Sequence, residues 1–176
     1  YEAWLNGQRV GDQLFTPGYT PYDKMLQYQV YDVSGLLQQG ENVVGAILGD
    51  GWFRGKVYVF DSRNVYGDRL GLLALLKIKT EDGNWVTIGT DEQWKSATGP
   101  ILKSDMKDGE IYDARLEMPG WCSAGFPRHN GSSCKKHRRC RGRSSCSHCG
   151  AACRWGSDTG GRWTSTIPGG ATGWRR

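Results

Sequence analysis

The sequence predicts an all-β fold, specifically a β-sandwich, on three observations. Short runs of β-branched and aromatic residues recur through the first two-thirds of the chain. Turn signals built on Gly, Pro, Asn and Asp separate them at intervals of about 10 residues, as in sandwiches. No stretch sustains a helical hydrophobic period over three turns, so no amphipathic helix competes.

The elements follow in order. Tyr1 to Leu5 alternates and ends at Asn6-Gly7, a pair that tolerates positive φ and so marks a tight hairpin. Its partner starts at Gln8-Arg9-Val10 and stops at Gly11-Asp12. A loop with Pro17-Gly18 and Pro21 precedes Gln27 to Tyr31, where alternating aromatic and β-branched residues predict a strand. Val33 to Gln38 predicts one helical turn, with Ser34 as cap and Gly40 as stop. Glu41 to Leu48 predicts a buried strand, and Leu70 to Lys79 is the longest apolar run. Asp82-Gly83 turns the chain into Trp85 to Ile88, and Trp94 to Ser96 and Glu110 to Ala114 predict short strands.

Charge divides the chain sharply after Trp121. Residues 1–121 hold 12 Lys and Arg against 17 Asp and Glu, a net of −5. Residues 122–176 hold 11 against the single acid Asp158, a net of +10, together with all six cysteines and all three histidines. The only aliphatic side chain there larger than Ala is Ile167. The predicted organisation is therefore a sandwich domain over 1–121 and a Cys-, Arg- and Gly-rich tail over 122–176. No apolar run approaches the roughly 20 residues of a membrane span. The chain opens at Tyr1 without an initiator Met or signal-peptide pattern, which predicts a fragment of a longer protein and leaves a secreted or a cytoplasmic origin open.

The search for chemistry begins with what is missing. Without His or Cys in 1–121, that part cannot build a Ser-His-Asp triad, a Cys-His pair or a His-ligated metal site. It has no Gly-rich phosphate loop with its Lys and Ser/Thr. Carboxylates are plentiful, and a glycosidase needs two, but acids in this number also form an ordinary solvated surface. More specific is Gly49-Asp50-Gly51-Trp52-Phe53-Arg54-Gly55. A Trp face can stack on a sugar, while Asp50 and Arg54 can meet hydroxyls, or Asp50 a cation. The competing reading packs Trp52 into the sandwich edge and pairs Arg54 with a neighbouring acid. Tyr66-Gly67-Asp68-Arg69 is a second such segment, in which Asp68 and Arg69 either bind a ligand or cap the following strand.

A series of motifs then resembles the bacterial α-L-rhamnosidase N-terminal domain. They are Tyr1-Glu2-Ala3-Trp4-Leu5-Asn6-Gly7, Pro17-Gly18-Tyr19-Thr20, Gly40-Glu41-Asn42, Leu48-Gly49-Asp50-Gly51-Trp52-Phe53-Arg54-Gly55, Tyr66-Gly67-Asp68-Arg69-Leu70, Tyr112-Asp113-Ala114-Arg115 and Pro119-Gly120-Trp121. Each is weak alone, and their order over about two-thirds of the chain carries the resemblance. It implies a jelly-roll-like β-sandwich, an accessory module beside a catalytic (α/α)-barrel that this chain lacks, and no catalytic residue here. L-rhamnose or a rhamnosylated glycan is then the candidate ligand, and the stacking face of Trp52 beside the polar Asp50 and Arg54, flanked by glycines that allow close approach, places any sugar contact at this loop, joined by Tyr66 and Asp68. Some family modules bind L-rhamnose together with calcium, which makes calcium the candidate ion. Gly51 beside Asp50 offers no side chain, however, and no dense acid cluster supplies the six to eight oxygens that calcium takes.

The tail has three readings. Cys134, Cys140, Cys146, Cys149 and Cys153, with His137 and His148 among them, suggest structural zinc, although there is a single Cys-x-x-Cys. Arg138, Arg139, Arg141 and Arg143 suggest a basic arm for nucleic acid. The third reading, favoured by the abrupt change of composition, is a frameshift near residue 126. Read out of phase from His129, the codons permit Gln-Trp-Gln-Gln-Leu near where the family carries a Trp. Such a tail would have no evolved core and is expected to be disordered.

Overall fold

The computed structural model describes residues 1–58, 62–126, 132–133 and 151–156, the last two segments as backbone. The tail's other cysteines and histidines, its zinc and nucleic-acid readings and its expected disorder fall largely outside the described residues.

The chain is all-β and antiparallel. Among the described residues ten strands run in order: β1 (Glu2–Leu5), β2 (Gln8–Val10), β3 (Glu41–Ile47), β4 (Leu75–Lys79), β5 (Trp85–Gly89), β6 (Lys95–Ser96), β7 (Ile101–Asp105), β8 (Gly109–Tyr112), β9 (Ser132–Ser133) and β10 (Ala151–Gly156). The helical pieces are one α-turn, α1 (Gly51–Arg54), and 3₁₀ turns at Ser34–Leu36 and Ala114–Leu116. The largest sheet has the order β2-β1-β3-β10-β6-β9, and β4-β5 and β7-β8 form two further hairpins. Thus two segments of the predicted tail lie in the main sheet, with Cys153 opposite Val44 and Ala151 opposite Ser96 in the ladder.

The first hairpin forms as its sequence predicts. Asn6 and Gly7 sit at φ 51° and 78°, the left-handed pair that lets two right-twisted strands meet across two residues. Asn6 also ties the hairpin to the next strand: its side-chain oxygen accepts from Val43 N at 2.8 Å and its amide donates to Asn42 Oδ1 at 2.8 Å. Asn42 is 1% exposed, yet its amide donates to Gln38 O and Gly40 O and its oxygen accepts from Gln38 N. With its polar atoms satisfied, a buried asparagine costs little and fixes register. Cys122, on the tail side of the division at 121, is 2% exposed and points its Sγ toward Val43 O at 3.5 Å.

β3 is the spine. Its buried Ala46, with Leu48 just beyond it, meets Leu70, Leu72 and Trp94 in the apolar core, against which Val44, Phe53 and Ala74 pack. The predicted strand at Gln27 to Tyr31 is absent from every ladder among the described residues. Alternation survives, with Tyr28 and Val30 exposed and the Gln29 side chain held by Tyr1 Oη and Pro17 O, but no described strand pairs its backbone. At the 3₁₀ turn the N-cap position is Val33 rather than Ser34, and Asp32 Oδ1, one residue earlier, accepts from Ser34 N at 2.9 Å. β7 carries no strong sequence signal, since Lys103, Ser104 and Asp105 interrupt its apolar residues.

Candidate functional site

β3 ends at Ile47, and the chain turns through Leu48 and Gly49 into α1. Within this single turn Arg54 N donates to Asp50 O at 3.0 Å and Gly55 N to Gly51 O at 3.2 Å. The turn throws Trp52 and Phe53 toward the Tyr19–Tyr22 loop. Trp52 and Tyr19 have ring centroids 5.1 Å apart, Tyr22 and Phe53 5.7 Å, and Tyr22 and Tyr66 5.0 Å. Phe53 stacks on Tyr66 at 6.2 Å. These separations lie in the range where tilted and edge-on rings attract one another, so the rings hold one another as a platform.

The platform has a polar margin. Tyr19 Oη donates to Tyr58 Oη at 3.1 Å, and Tyr58 Oη lies 3.4 Å from Tyr66 Oη. The hydrogen bonds from Tyr19 and then Tyr66 favour the Tyr58 phenolate and hold that hydroxyl below the ordinary phenol value. The same contacts, seen from Tyr66, push its hydroxyl up. Tyr19 and Tyr58 are about half exposed, at 47% and 52%. Trp52, Phe53, Tyr58, Tyr66 and Asp68 all line one broad cleft.

Beneath the platform lies an ionic network. Asp50 is 7% exposed, and its two oxygens meet different guanidinium groups: Arg54 Nε donates to Oδ1 at 2.6 Å and Arg63 NH2 to Oδ2 at 2.7 Å. Arg63 NH1 reaches Asp105 Oδ2 at 2.8 Å. The Asp105 side chain is fully buried and accepts from the backbone N–H groups of Lys56, Lys107 and Asp108 as well. Burial opposes its charge, but three backbone donors and the Arg63 guanidinium outweigh that and leave the carboxyl below its usual value. Gly55 is required beside it, because a Cβ there would stand 2.5 Å from Gly51 O and 3.1 Å from Asp105 Oδ2.

The five residues singled out from the sequence thus separate into three groups. Trp52 and Tyr66 come together on the platform. Asp50 and Arg54 face each other beneath it, and Asp68 is exposed on the cleft with no ion pair among the described residues. Sequence reading missed Tyr19, Tyr22, Tyr58, Arg63 and Asp105. The tyrosines lie in loops with no periodic signal, and Arg63 and Asp105 are isolated charges 42 residues apart whose meeting only the fold creates. Calcium does not fit here. Both Asp50 oxygens face arginines, and no group of three His, Cys, Asp or Glu side chains suited to a metal ion occurs among the described residues.

Comparison with known proteins accords with this architecture. Residues 1–147 match the α-L-rhamnosidase N-terminal domain. An α-L-rhamnosidase of Streptomyces avermitilis is 44% identical over 126 residues, which is 72% of this chain and 12% of that protein. One of Formosa agariphila is 37% identical over 131 residues, 74% of this chain and 14% of its own length. Among solved structures, native α-L-rhamnosidase from Aspergillus terreus superposes with a TM-score of 0.73 at 45% identity, over 75% of this chain and 15% of that one. The Streptomyces avermitilis α-L-rhamnosidase complexed with L-rhamnose gives 0.72 at 42% identity, over 75% and 13%. The chain therefore spans about an eighth of the length of these relatives. On the match over residues 1–147 and these identities, the chain belongs to the α-L-rhamnosidase N-terminal domain family.

Proposed function

We propose that this chain acts as a non-catalytic accessory module of an α-L-rhamnosidase, working beside a catalytic (α/α)-barrel, and that its platform binds L-rhamnose or a rhamnosylated glycan. One observation carries the reading: Tyr19, Tyr22, Trp52, Phe53, Tyr58 and Tyr66 form one cluster of ring and hydroxyl contacts, five of them lining the cleft. A pyranose offers an apolar C–H face and a rim of hydroxyls. A recognition site for it needs a flat apolar surface and a few oriented polar groups in a concave place. Trp52 supplies the flat surface, and Tyr58, Tyr66 and the exposed Asp68 supply donors and acceptors around it. Asp50 and Arg54 act as scaffold for this surface, their charges being satisfied on each other and on Arg63.

The test is titration of L-rhamnose against the chain by calorimetry, with and without calcium. Saturable binding is expected in both buffers. Trp52→Ala should abolish it while the melting temperature moves by a few degrees only, because Trp52 is half-buried rather than core. Absence of binding at millimolar sugar, or a Trp52→Ala protein that fails to fold, overturns the site.

A further inference from the structure

We propose that Arg63 is a positioning residue: held between the carboxylates of Asp50 and Asp105, it locks the turn bearing Trp52 and Phe53 to the loop bearing Tyr58, and so sets the geometry of the aromatic platform. The connectivity supports this. The loop that carries Tyr58 leaves from Lys56 and returns at Arg63, with its neck closed by Val57 N donating to Ser62 O at 2.9 Å. Asp105 grips both ends of that loop, accepting from Lys56 N at 2.9 Å and from Arg63 NH1 at 2.8 Å. The second arm of the same guanidinium holds Asp50, the residue from which α1 springs. One planar fork therefore spans two carboxylates, one at the start of α1 and one at the end of β7. Arginine alone among the side chains offers that geometry, and a lysine ammonium is a point charge that can satisfy one of them.

Burial makes the arrangement stringent. The side chains of Asp50 and Asp105 are 8% and 0% exposed, so each charge needs a fixed partner rather than water. If Arg63 is lost, Asp50 keeps Arg54 and Asp105 keeps its backbone donors, but the bridge between the two carboxylates is gone and the contact between turn and loop opens. Trp52 and Phe53 would then move relative to Tyr58, and the hydroxyl contacts of Tyr58 with Tyr19 and Tyr66 would lengthen.

The consequence for sugar binding rests on the function proposed above, whereas the geometric claim does not, so the experiment reads both. The full chain, Arg63→Lys and Tyr58→Phe are titrated with alkali and followed by tyrosinate absorbance, and the first two are also titrated with L-rhamnose. The parent chain should show an early tyrosinate step, below the ordinary phenol value, that belongs to Tyr58 and that Tyr58→Phe should lack. In Arg63→Lys, with far-UV circular dichroism unchanged, that early step should disappear into the ordinary phenol range. Rhamnose affinity should fall by roughly tenfold, a coupling of ordinary size for a residue that touches no ligand. A role in stability alone would lower the melting temperature and leave the early step and the affinity in place, which overturns the proposal. An early step absent from the parent overturns it too. If the parent shows the early step but binds no rhamnose, the sugar reading fails while the tyrosine titration still decides the role of Arg63. Should Arg63→Lys not fold, the charge-balanced pair Asp50→Asn with Arg63→Gln is read by the same two titrations and the same criteria.

Discussion

At Asp105 a single carboxylate shows how the site is held and how acid would release it. The group is buried, and burial alone would raise its pKa; three backbone N–H groups and Arg63 more than reverse this, and the folded value lies below the usual carboxylate value. A carboxyl with a depressed folded pKa contributes stability that is fully present above its unfolded pKa and is lost as pH falls through the folded one. Asp108 acts in the same sense, its carboxyl drawn down to about 2 by Lys103 and Lys56. Unfolding free energy, measured by urea titration between pH 6 and pH 2, is therefore expected to hold steady down to about pH 4 and then fall. Asp105→Asn should be less stable at pH 6, because its amide cannot accept four donors, and its loss below pH 4 should be shallower. An unchanged slope in that variant would remove Asp105 from the account of acid lability.

At the scale of elements, the first hairpin, β3, β4, β5, β6 and β8 were legible because each combines a turn signal with alternation or a buried run. Asn6-Gly7 and Asp82-Gly83 specify their turns chemically, and Gly83 does adopt φ 83°. What was not legible depends on partners distant in sequence. Gln27 to Tyr31 has the right alternation, but a strand also needs a neighbour for its backbone, which side-chain pattern does not report. β7 is polar in sequence because Asp105 is buried by hydrogen bonds rather than by apolarity. The candidate site was half legible for the same reason. Trp52 and Tyr66 stand in Gly-flanked loops that signal close approach, whereas the Arg63 bridge exists only once α1 and the β7–β8 turn are brought together. The strength of the legible part is measurable. Leu5, 2% exposed on β1, should cost about 2–5 kcal/mol when cut to Ala, by loss of transfer energy and creation of a cavity. Leu75, 56% exposed on β4, should cost little by the same change, and equal losses at the two positions in urea unfolding would contradict the burial pattern.

At the scale of the whole molecule, the question is whether this chain can perform the reaction of the enzymes it resembles. Hydrolysis of a glycoside needs two carboxyl groups flanking the bond, about 5–5.5 Å apart for retention or about 6.5–9.5 Å for inversion, one of them able to donate a proton. The platform does bring two buried carboxylates together, but Arg63 lies between them and binds both, and Asp105 is held below its usual pKa, the wrong direction for an acid catalyst at neutral pH. The chain also spans 12% to 15% of the rhamnosidases it matches. The expected outcome is that the purified chain releases no chromophore from an aryl α-L-rhamnoside above a protein-free blank, while still binding L-rhamnose at the platform. Asp23, Asp32, Asp68 and Glu110 are the exposed acids on the same cleft, and Asp68 and Asp23 are the two through which the expectation is tested. Turnover that persists through repurification and is lost in Asp68→Asn or Asp23→Asn would show that the cleft itself is catalytic, and would replace the accessory reading with an enzymatic one.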